Sequence, residues 1–137
     1  MKKMITTFLA TMMVMSVMGV AAAAAATSTA RATTMQPTQL TITEYPKQVK
    51  VGQAATVKGQ LTSNGVGLGD KLIYCTLWNT TDHKWYWSYN FTTDPDGTFI
   101  DSSSWNALGT YTYRYEFWGD DQYSWCYSQQ LGITVTQ

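Results

Sequence analysis

"GTYTYRYEFWGDDQY", Gly109 to Tyr123, is the stretch on which the fold turns. Tyr111, Tyr113, Tyr115 and Phe117 occupy every second position, with Thr112, Arg114, Glu116 and Trp118 between them. Successive side chains of a β-strand point to opposite faces, so this alternation predicts a strand with one face buried. Arg114 and Glu116 are costly to take out of water, which assigns the tyrosine row to the interior. Gly119, Asp120 and Asp121 then end the strand as a turn-forming cluster.

Working outward, the same period of two recurs between turn signals spaced about ten residues apart. "LTITEYP" places Leu40 and Ile42 on one side before a break at Pro46, which has no N–H to give to a ladder. "AATVKGQLTS" puts Val57, Gly59 and Leu61 on one face, and the glycine-rich "NGVGLGD" follows as a tight connection. In "KLIYCTLW", Ile73, Cys75 and Leu77 oppose Leu72, Tyr74 and Trp78. "WYWSYNF" alternates Trp85, Trp87, Tyr89 and Phe91 with Tyr86, Ser88 and Asn90. "DPDG" (Asp94 to Gly97) is a turn, because Pro95 presets φ and Gly97 tolerates a positive one. "LGITVT" closes the chain with Leu131, Ile133 and Val135 inward. Helix signals are nearly absent after the first thirty residues. Seven to nine short strands predict an all-β fold, two antiparallel sheets packed face to face.

The amino terminus is of another kind. Lys2 and Lys3 precede the uncharged apolar run Met4–Val20, and small residues crowd Ala22–Ala26. That layout predicts a secretory signal peptide over residues 1–26. The alternative is an uncleaved membrane anchor, since about 20 apolar residues span a bilayer. A flexible Thr-rich linker is expected over 27–39 and one domain over 40–137, placing the protein outside the cell, secreted or envelope-associated.

The chain carries nine basic and nine acidic residues, and losing Lys2 and Lys3 leaves seven against nine. The remaining lysines are scattered, so a nucleic-acid partner, which needs a basic stripe, is not expected. Cys75 and Cys126 are the only cysteines; an even pair in an exported chain points to a disulfide, with two separate thiols as the alternative.

"VGQAATVKGQLTSNGVGLGDKLI" (Val51 to Ile73), "TTDPDGTF" (Thr92 to Phe99), "LGTYTYRYEFWGDDQY" (Leu108 to Tyr123) and "GITVT" together resemble the bacterial and archaeal Ig-like repeats of surface proteins, the Big-3-like class. The likeness covers nearly the whole domain, and prealbumin-like sandwiches, which share part of the pattern, are the fold alternative. The resemblance implies a seven-stranded Ig-like sandwich, with Tyr111 at a tyrosine corner. Tyr113 stands where an antibody domain has its second cysteine, so that inter-sheet bridge is missing. A Cys75–Cys126 bridge would instead tie the third strand to the region before the last.

Catalytic chemistry finds little support. His83, the one histidine, lies in a polar turn without a nucleophile motif around it. Asp94 and Asp96, with Thr98 and Asp101 beyond, are weak metal candidates; an EF-hand-type loop also needs a terminal glutamate, and a plain β-turn explains the acids. No metal or cofactor is expected. Asn79 ("NTT") and Asn90 ("NFT") are sequons for N-linked glycans in an exported chain. If odd-numbered residues face the core, Tyr74, Trp78, Tyr86 and Trp118 form an outward aromatic stripe suited to ligand binding. Trp85 and Trp87 complicate that parity, while Trp105, Tyr123, Trp125 and Tyr127 fall in connections. The expected function is a non-catalytic exported binding, adhesion or cell-envelope module, its partner a protein or glycan at the cell surface. The alternatives are a carbohydrate-binding module using these rings, then an accessory or inhibitor subunit of a secreted enzyme.

Overall fold

The structure is a computed structural model that describes residues 34–137. The signal peptide, its anchor alternative and the first part of the linker lie outside the described residues. Ten strands follow in chain order: β1 (Gln39–Glu44), β2 (Gln48–Lys50), β3 (Ala54–Ser63), β4 (Val66–Gly67), β5 (Leu72–Asn79), β6 (Lys84–Thr92), β7 (Thr98–Ser104), β8 (Gly109–Phe117), β9 (Cys126–Tyr127) and β10 (Leu131–Thr136). No helix occurs among the described residues.

The strands form two sheets. In the smaller, β3 is central, with β1 on one side and β7 and β4 on the other. The larger runs β2-β10-β8-β5-β6, with β9 paired to the end of β8. Every pairing between these strands is antiparallel except that of β10 with β2. The break at Pro46 is where the chain leaves the smaller sheet after β1 and joins the larger as β2. This is an all-β, Ig-like sandwich.

The inward faces are those the alternation predicts. Tyr113, Tyr115 and Phe117 of β8 meet Ile73 and Cys75 of β5, and Leu131, Ile133 and Val135 of β10, all buried. Val57 and Leu61 of β3 close the core from the other sheet. Between them Gly59 leaves space for the Phe99 ring, which a Cβ there would strike. Gly97 holds φ at 82°, the left-handed value the Asp94–Gly97 turn requires. Tyr111 donates its hydroxyl to the Ala107 carbonyl at 3.0 Å, the tyrosine-corner bond that pins the approach to β8.

The expected Cys75–Cys126 disulfide is absent: both are free thiols. The reason is the strand order. Cys75 pairs across from Tyr115 on one side of β8, and Cys126 across from Phe117 on the other. Two strand spacings, about 10 Å, therefore separate the two backbones. A disulfide tolerates no more than about 7 Å between Cα atoms.

Ordered structure also begins ahead of β1. Gln36 forms a parallel bridge with Tyr123, its N–H donating to the Gln122 carbonyl at 2.8 Å. Ser63 and Thr38 add side-chain bonds to the Pro37 and Ser124 carbonyls, both at 2.7 Å.

Candidate functional site: the outer face of the larger sheet

β5 and β6 are paired over their whole length, but the register slips once. Cys75 faces Tyr89, whereas the next residue, Thr76, faces Trp87; Ser88 is the extra residue of a β-bulge. Beyond Ser88 the parity of β6 inverts. Trp87 and Trp85 share the outward face with Thr76 and Trp78, while Tyr86 turns to the side of Leu77.

The outward face is consequently richer in indoles than simple alternation predicts, and its centre is organised by one ion pair. Arg114 on β8 contacts Glu116 through Nη2 and Nε, both at 2.8 Å. Its guanidinium carbon lies 4.2 Å from the Trp85 ring centre and 4.4 Å from that of Tyr127, two cation–π contacts. Glu116 also accepts the Thr76 hydroxyl at 3.1 Å and the Trp118 indole N–H at 2.9 Å. Stacking extends the network. Tyr74 and Trp118 lie 3.6 Å apart, 7° from parallel, and Trp125 stacks on Tyr127 at 5.7 Å. Trp78 packs on Trp85 at 5.2 Å. Trp87, Trp118 and Trp125 are 58%, 55% and 65% exposed.

Of the stripe predicted from sequence, Tyr74, Trp78 and Trp118 share this face. Tyr86 does not: it donates to Asp82 and lines a groove of about 460 Å³ with Leu77, Trp78 and Tyr111. Trp85 and Trp87, which strict alternation sent inward, stand on the face, and Trp125 and Tyr127 join it through β9. The signal for the inversion is the polar Ser88 amid rings, but a bulge has no sequence mark as firm as a turn has. Trp105 is a lid over the core end, 4.7 Å from Tyr111, and Tyr123 lies under the Lys71 ammonium at 4.9 Å.

The sequons are both exposed. Asn79 ends β5, its side-chain oxygen accepting the Thr81 N–H at 2.8 Å. Asn90 stands across from Tyr74, on the aromatic face. Asp96 accepts the Thr98 N–H and hydroxyl at 3.0 and 2.5 Å, which holds its carboxyl below the usual range and uses it inside the turn; Asp94 accepts the Gly97 N–H at 2.8 Å through its backbone carbonyl. No group of three or more His, Cys, Asp or Glu side chains fit to hold a metal occurs among the described residues.

A second polar cluster lies between the sheets, and sequence reasoning, which placed the acids in turns, missed it. Asp101 on β7 is 8% exposed and accepts hydroxyl protons from Tyr89 and, at 2.7 Å, from Tyr115. Burial, with the adjacent carboxylate adding to it, raises the Tyr115 hydroxyl far above its ordinary value; burial also raises those of Tyr89 and Tyr113. Burial pushes the Cys75 thiol up to about 12 and raises Cys126 as well. These are protonated, structural groups: an inter-sheet clamp rather than an acid–base pair.

No family model matches the chain, and no curated protein matches it. Among solved structures it is similar to the CARDB domain of a Pyrococcus furiosus protein (13% identity, 76% of this chain and 98% of that one, TM-score 0.47). It is also similar to the PKD domain of a peptidase from a Thermoplasmatales archaeon (17% identity, 77% and 100%, TM-score 0.47). A third likeness is to a β-glucosidase from Listeria innocua (11% identity, 73% of this chain, TM-score 0.47), of which the chain spans 16%.

Proposed function

We propose that this protein is a non-catalytic binding module of the cell surface or envelope, and that it engages its partner through the outer face of the larger sheet. The observation that carries this is the exposure of Trp87, Trp118 and Trp125 on that face, around an ion pair that holds the surrounding rings in place. Exposed indoles in one neighbourhood mark an interaction surface. Rings fixed in advance lose little freedom on binding. The chemistry elsewhere fits the same reading: His83 sits in an exposed turn, Asp101 is held by two tyrosines, and the Cys75 thiol is kept neutral. The extracellular setting rests on the signal peptide expected over residues 1–26, and the resemblance to Ig-like repeats of surface proteins accords with it.

The test is adsorption of the labelled domain to isolated bacterial and archaeal cell envelopes. The unmodified protein is expected to be retained, and a W87A/W118A/W125A variant with an unchanged far-ultraviolet spectrum to wash through. Equal retention of both, or retention of neither, overturns the proposal.

A further inference from the structure

Resting on that reading of the face, we infer that its occupant is an uncharged polysaccharide chain. Three features of the face point there. The first is charge. Arg114 and Glu116 neutralise each other, and Arg114 is further enclosed by the Trp85 and Tyr127 rings. Both oxygens of Glu116 are occupied, Oε1 by Arg114 and Thr76 and Oε2 by Trp118. Lys71 and Asp120, near the start of β5, are likewise paired, at 2.5 Å. A polyanion would have to draw Arg114 out of its aromatic slot, and a basic segment would have to displace Arg114 from Glu116. A neutral ligand disturbs neither.

The second feature is side-chain type. Around the Arg114–Glu116 pair, the outward positions of β5 and β6 carry aromatic and hydroxyl or amide side chains, with Leu72 the aliphatic residue at the end. Flat rings with scattered polar neighbours suit the C–H faces and equatorial hydroxyls of sugars.

The third is the disposition of free ring faces. Trp118 has one face against Tyr74 and Trp125 one against Tyr127; among the described residues the opposite faces have no ring partner, and Trp87 stacks on no ring. From Trp87 on β6 to the β9 end that carries Trp125, the face crosses β5 and β8, three strand spacings or about 14 Å. That width exceeds one sugar ring and calls for a chain.

The experiment is affinity electrophoresis and titration of the protein with neutral probes (hydroxyethyl cellulose, a soluble β-glucan, mannan, dextran) beside the polyanions polygalacturonate and dextran sulfate. At least one neutral probe is expected to retard the protein equally at low and high salt, and both polyanions to fail. W118A should weaken that binding about tenfold, the effect of one lost stacking contact at the upper end. In the unmodified protein, acrylamide quenching of tryptophan fluorescence should fall when the neutral probe is bound, a readout independent of any variant. Binding to polyanions alone, lost at high salt, overturns the inference. So does the absence of binding to every neutral probe. If envelope retention persists in that case and still depends on the three indoles, the face has a protein partner; if it does not depend on them, the reading of the face falls too.

Discussion

Asp101 shows what a single side chain does in a core otherwise built from rings. Its position on β7, two residues after Phe99, directs it inward, where a carboxylate is costly unless bonded. Tyr89 and Tyr115, both from the larger sheet, supply those bonds, so the acid links the two layers. Asp101→Ala should leave two tyrosine hydroxyls without that acceptor. At roughly 1–3 kcal/mol for each unsatisfied group, a loss of about 2–6 kcal/mol is expected in urea unfolding, with Tyr115→Phe costing less because Tyr89 still serves the acid. Cys75 gives a prediction in pH. Its thiol stands at about 12 in the fold, against an ordinary 9, chiefly through burial. The folded state therefore holds a proton that the unfolded chain releases first. The associated stability is complete below pH 9 and is lost as pH rises from 9 towards 12, by up to about 1.4 kcal/mol per pH unit. Denaturation midpoints at stepped pH should show this decline, and Cys75→Ala should lack that part of it.

At the level of strands, the alternation of apolar and polar side chains revealed which face of β3, β5, β8 and β10 is buried, because a two-residue period leaves no other choice once Arg114 and Glu116 are kept wet. It could not reveal β6. One inserted residue, Ser88, moves Trp85 and Trp87 from the expected inward side to the outward one and takes Tyr86 away from it. Three rings of the aromatic face were therefore legible in sequence, Tyr74, Trp78 and Trp118; the others depend on a bulge and on the short β9 pairing that delivers Tyr127. Turn chemistry, in contrast, was plain at Asp94–Gly97, where Gly97 alone supplies the positive φ. Deleting Ser88 tests the bulge. Trp87 would then precede Tyr89 directly, so the pairs Cys75–Tyr89 and Thr76–Trp87 become regular alternation, Trp85 and Trp87 keep the outward side and Trp85 stays against Arg114. The near-ultraviolet circular dichroism of the stacked rings is expected to survive, with stability changed by no more than about 1 kcal/mol. Loss of those bands would show that Ser88 is not the extra residue and that β6 pairs with β5 in another register.

For the molecule as a whole, the question is what holds a sandwich of this size together without a covalent tie. A domain near 100 residues buries only a modest fraction of its chain, and small exported folds commonly add disulfides for that reason. Here the two cysteines point into the same core from strands on opposite sides of β8, and joining them would require that strand to be displaced. The layers are instead held by Leu61, Ile73, Tyr115, Leu131 and Ile133, each essentially inaccessible, and by the Asp101 clamp. Two measurements follow. The thermal midpoint should be the same with and without reductant, and a thiol reagent should count two free cysteines per chain once the protein is unfolded under non-reducing conditions. A midpoint that falls on reduction, or a chain whose mass rises when reduced, would mean that Cys75 and Cys126 do meet, that β9 lies elsewhere than beside Phe117, and that Tyr127 is not the second ring against Arg114. The aromatic face and the free thiols therefore stand on the same strand order, and the thiol count checks it without reference to any ligand.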